Sequence, residues 1–67
     1  MNEKLCKMIY AALEIKHVPF TMYKTNEGET TIFIFKDNKV EVTDEEIKLN
    51  GYNLESVYNV ITTIKSI

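Results

Sequence analysis

Cys6 and His17 are the only candidates in this chain for a thiol–imidazole pair. A thiol becomes a useful nucleophile when a base sits within hydrogen-bond reach of it. The eleven residues from Cys6 to His17 correspond to about 16 Å of rise if one helix spans them, so the pair cannot meet. Cys6 then reads as a small, half-buried hydrophobe, and His17 as a cap or surface cation at a helix C-terminus, where the dipole favours positive charge. One cysteine and one histidine cannot supply the four ligands of a structural zinc site, and a lone cysteine forms no internal disulfide. The densest carboxylate cluster is Asp44-Glu45-Glu46. It lacks the glycine-spaced ligands of a calcium loop, and the start of a helix explains it as well. Gly28 and Gly51 are isolated, so no phosphate loop is available. Tyr10, Tyr52 and Tyr58 are expected at helix margins with their hydroxyls in solvent. The chain is therefore expected to be non-enzymatic and to need no cofactor or metal.

The elements that position these residues belong to one small α+β domain, residues 1–67. A chain this short buries only about 60% of the surface its unfolded form exposes. With no disulfide or metal to staple it, tight packing or self-association must supply stability. No signal-like segment opens the sequence, no run approaches the roughly 20 apolar residues of a membrane span, and there is no N-glycosylation sequon. The expectation is a cytoplasmic protein with no membrane partner. The net charge is −2, unevenly spread: residues 27–55 hold eight acids and three lysines, a balance of −5. All eight basic residues are lysine. The absence of arginine, the usual bidentate reader of guanine and phosphate, argues against a nucleic-acid partner.

From Asn2 to Lys16 the residues Leu5, Met8, Ile9, Ala12 and Leu13 recur at three- and four-residue spacing, the mark of an amphipathic helix. His17-Val18-Pro19 ends it, because proline disfavours helical geometry at the residue before it. Strands are expected at Phe20 to Thr25, Thr30 to Lys36 and Lys39 to Thr43, with turns at Asn26-Glu27-Gly28-Glu29 and Asp37-Asn38. Thr43-Asp44-Glu45-Glu46 fits a capping box and Asn50-Gly51 a helix stop, so a short helix is expected between them. A fourth strand over Ile47 to Asn50 is the competing reading. Asn53 is placed to cap a last helix whose stripe is Leu54, Val57, Tyr58, Ile61 and Ile64. The expected architecture is α-β-β-β-α, a three-stranded antiparallel meander with helices packed on one face.

The run Ile32-Phe33-Ile34-Phe35 is apolar towards both faces of its strand, so something must cover the second face. A two-residue loop at Asp37-Asn38 pairs Phe35 with Val40 and Phe33 with Val42, and opposed residues share a face. An even-length first loop pairs Thr25 with Thr30. The core face is then Phe20, Met22, Phe33, Phe35, Val40 and Val42. Thr21, Tyr23, Ile32, Ile34, Glu41 and Thr43 lie outside. Tyr23, Ile32 and Ile34 form an apolar cluster there, and Glu41, Asp44, Glu45 and Glu46 an acidic stretch beside it. Together these seven residues are the expected partner-binding set, directed at a protein with a basic surface or at a second copy in a homodimer.

This element order and acidic middle are similar in kind to small phage inhibitors, including anti-CRISPR proteins that obstruct the DNA-binding groove of a nuclease. The resemblance implies an inhibitory, protein-binding role. The α-β-β-β-α order also resembles double-stranded-RNA-binding domains and HicA-type toxins, which implies an RNA-directed alternative. The chain departs from both where their chemistry lies. It has Thr30 and Thr31 where such a toxin carries a sheet histidine, and Asn53-Leu54-Glu55-Ser56 where such an RNA-binding domain carries lysines.

Overall fold

The periodic stripe of Leu5, Met8, Ile9, Ala12 and Leu13 forms helix α1, Asn2–Ile15, in the computed structural model, which describes residues 2–67. Ile9 and Leu13 are fully buried and the other three pack at the core margin. The helix closes in a Schellman motif: the Val18 amide donates to the Leu13 carbonyl at 2.9 Å and the His17 amide to the Glu14 carbonyl at 3.1 Å. Val18 then turns into the core beside Leu13. The left-handed position of this motif falls on His17, at φ 57, where an L-residue with a Cβ pays about 1–2 kcal/mol. His17→Gly is therefore expected to stabilise the domain by about 1 kcal/mol, raising Tm by roughly 4–8 °C in a thermal melt. A lower Tm would show that the imidazole makes a contact worth more than the strain.

Five strands follow: β1 (Thr21–Thr25), β2 (Thr30–Phe35), β3 (Asn38–Val42), β4 (Ile47–Leu49) and β5 (Tyr52–Leu54), with helix α2 (Val57–Lys65) last. They form one antiparallel meander in the order β1-β2-β3-β4-β5. The expected three-stranded α-β-β-β-α arrangement is thus overturned by two further strands. The short helix after Thr43 does not form. Its capping chemistry is real but serves a hairpin: the amides of Glu45 and Glu46 donate to Thr43 Oγ1 at 3.2 and 3.1 Å, and the Thr43 amide donates to the Glu46 carbonyl at 2.9 Å. Asn50 and Gly51, at φ 53 and 90, form the left-handed pair of a two-residue hairpin turn instead of a helix stop. Asn53 lies within β5, and Ser56 caps α2 by accepting from the Tyr58 amide at 3.1 Å.

The β1 to β2 register pairs Thr25 with Thr30 and Tyr23 with Ile32, as the even-length loop requires. The β2 to β3 turn is Lys36-Asp37, at φ 45 and 65, rather than Asp37-Asn38. Phe33 consequently faces Val40 instead of Val42. Asn38 is drawn into the strand by its side chain, which donates to the Lys36 carbonyl at 3.2 Å and accepts from Asn50 Nδ2 at 3.1 Å. A two-residue change of partner preserves face parity, so Phe33, Phe35, Val40 and Val42 still share the helix side. They join Ile47, Ile9, Leu13, Val57, Val60 and Ile64 in one core cluster. Both helices therefore cover the same face of the sheet. In α2 it is Val60, not Tyr58, that completes the buried stripe with Val57 and Ile64.

Candidate docking surface

The outer face of the sheet can be read from its register. Tyr23, Ile32, Glu41, Lys48 and Asn53 form one row across all five strands, and Thr21, Ile34 and Lys39 form the next. The apolar cluster expected here is smaller than the strand pattern implied. Ile32 is only 6% exposed although it lies outside the helix-side core cluster. Its place in the middle of β2, with a strand on either side, leaves its own face neighbours to cover it. Tyr23 and Ile34 remain accessible, at 41% and 39%. Glu41 is half-buried between Ile32 and Lys48 on the neighbouring strands.

Asp44, Glu45 and Glu46 are exposed in the β3 to β4 turn. In a meander the β1 to β2 loop leaves the sheet at the same end as this turn, and here that loop passes through Asn26, Glu27 and Gly28 in left-handed backbone, at φ 51, 57 and 93. Asn26 Nδ2 donates to Thr30 Oγ1 at 3.1 Å, which holds the loop against the sheet end. Glu29 is thereby brought beside Asp44, Glu45 and Glu46 around an open notch of about 590 Å³. On its other side the same turn borders Glu55 and the start of α2 across a notch of about 350 Å³. Glu46 is bridged to Lys48 at 3.8 Å, a half-exposed pair that contributes little to stability. Among the described residues this is the one ion pair, so Glu29, Asp44, Glu45 and Glu55 carry charge that no described lysine neutralises.

The acidic stretch therefore extends beyond the contiguous residues of its turn, through Glu29 and Glu55. The charge balance of residues 27–55 carried that signal, without showing that two loops and a helix start converge. Tyr23 and Ile34 lie further along the sheet than the acidic end, so the apolar and acidic groups are two adjoining patches, and Ile32, being buried, adds little to the first. Among the described residues no set of three His, Cys, Asp or Glu side chains converges as metal ligands would, and no helix is long and apolar enough to cross a membrane. Cys6 is half-buried on the helix side of the sheet, and His17 lines a different surface hollow, with Leu13, Glu14, Val18, Pro19 and Phe20. Comparison with protein-family models, curated proteins and solved structures gives no match.

Proposed function

We infer that this chain is a small non-enzymatic protein-binding domain whose acidic end meets a basic surface on its partner. The observation that carries this reading is the convergence of Glu29 with Asp44, Glu45 and Glu46 around one open notch. Carboxylates lining one notch make a locally negative surface, which favours a cationic partner and steers its approach. Tyr23 and Ile34 add apolar area on the adjoining sheet face. If the partner's basic surface is a nucleic-acid-binding groove, occupancy by the acidic end inhibits it. The expected setting is cytoplasmic.

The test uses the exposed turn. Native protein and the double variant Asp44→Lys plus Glu45→Lys are each used to capture partners from cells that make the protein. The variant is expected to fold normally, to bind at least tenfold more weakly at low salt, and to lose most of its salt dependence. Unchanged binding at every salt concentration would remove the acidic end from the interface. Retention of native protein on a polyanion column, fading as salt rises, would favour the RNA-directed reading instead.

A further inference from the structure

The strand order leaves β1 hydrogen-bonded on one side only. Its other edge presents a row of backbone donors and acceptors, the template on which another strand pairs. Proteins blunt such edges by shortening them, bending them with bulges, or placing proline and charge along them. The β5 edge is three residues long and so is short enough to be harmless. The β1 edge is five residues long, four of them exposed, and it pairs with β2 without a bulge from Thr21 to Thr25. Lys24 is its one charge.

Exposed apolar side chains gather on both sides of this edge. Tyr23 and Ile34 lie on the outer face, while Met22, at 44% exposure, and Tyr10, at 46%, lie on the helix side. There a groove of about 390 Å³ runs between α1 and β1, lined by Cys6, Lys7, Tyr10, Met22 and Lys24 among others. The Tyr10 ring is held edge-on to Phe20, with centroids 5.3 Å apart.

We propose that the β1 edge pairs with the β1 edge of a second copy, antiparallel about a two-fold axis through Tyr23, joining two sheets into one. The strand's own sequence is compatible with this occupant and selects this register. With Tyr23 at the centre, Tyr23 faces its counterpart, Met22 faces Lys24, and Thr21 faces Thr25. All five residues are used, and no like charges oppose. Moving the centre to Lys24 sets two lysines against each other, which destabilises a cross-strand pair. Moving it to Met22 brings Pro19 opposite Thr25, where a residue without an N–H cannot contribute. The two-fold arrangement also closes on itself, whereas β1 pairing with β5 would propagate into a filament. Met22 and Tyr10 of each copy supply the apolar flank of the joint. This contact is separate from the acidic end, which it leaves free on both copies.

Sedimentation equilibrium from micromolar to millimolar concentration tests the proposal on the native protein and on two variants. Native protein is expected to show a monomer–dimer equilibrium. Tyr23→Lys, which sets two lysines face to face at the axis, should weaken the dimer by about tenfold or more while retaining a native circular dichroism spectrum. Tyr52→Lys, at the other edge, should leave it unchanged. Register is read separately in a Cys6→Ser background: under mild oxidation Tyr23→Cys should cross-link to a covalent dimer and Thr25→Cys should not. A native protein that stays monomeric to millimolar concentration overturns the proposal. So does a dimer lost with Tyr52→Lys, or equal cross-linking at both positions. Asp44→Lys plus Glu45→Lys should not alter dimerisation, so failure of the acidic interface and failure of this one are distinguishable.

Discussion

Phe33→Lys is expected to leave the chain unfolded at room temperature, while the neighbouring Ile34→Lys folds with Tm lowered by no more than about 4–8 °C. Phe33 is 0% exposed, at the centre of the cluster formed by the sheet and both helices. Removing its ring alone costs about 3–5 kcal/mol. A lysine in its place adds the cost of burying an ammonium without a partner, several kcal/mol more. Small domains have about 5–15 kcal/mol in total, and one of this size lies towards the lower end of that range. Ile34, one residue on, points to the other face and is 39% exposed. Its cross-strand partner Lys39 is the one local objection to a lysine there, and a surface change of this kind costs about 1 kcal/mol or less. Circular dichroism and a thermal melt on both variants check the contrast. A tolerated Phe33→Lys beside an unfolded Ile34→Lys would mean that the faces of the sheet are reversed.

The second large effect is expected in β4, the strand that replaces the anticipated helix. Ile47 is 6% exposed and paired with Val42 and Leu54 on the helix side of the sheet. Truncation to alanine should cost about 2–4 kcal/mol, seen as a lowered denaturation midpoint at unchanged m-value. Lys48, on the outer face, should tolerate alanine to within about 0.5 kcal/mol, since it loses only the half-exposed pair with Glu46. Leu49, back on the helix side and opposite Val40, should again be sensitive. Alternation of cost at successive positions is the signature of a strand, because its side-chain period is two. A helix would instead repeat its sensitivity at three- and four-residue spacing.

Where local chemistry had only one structural use, it was legible in the sequence. The spacing of Leu5, Ile9 and Leu13 admits only a helix face, and Val18-Pro19 can only end that helix. The sharing of a face by Phe33, Phe35, Val40 and Val42 survived an error in the turn, since shifting partners by two residues leaves every side chain on its own side. The segment from Thr43 to Leu54 was different, because its signals serve two structures equally. A threonine hydroxyl accepts from the amides two and three residues on, both at a helix start and in this hairpin turn. Asn-Gly likewise suits a helix stop and a hairpin turn.

Tertiary structure chose between them. The free edge of β3 offers backbone partners that a short isolated helix would lack. Asn50 secures that choice by accepting from the Lys39 amide at 2.8 Å, while its own amide donates to the Lys39 carbonyl at 2.8 Å. Pairing of β2 with β1 and β3 likewise withdrew Ile32 from the outer surface, and the meander set Glu29 and Asp44 around one notch. Burial and charge proximity between residues distant in sequence depend on which strands become neighbours, and no local pattern contains that information.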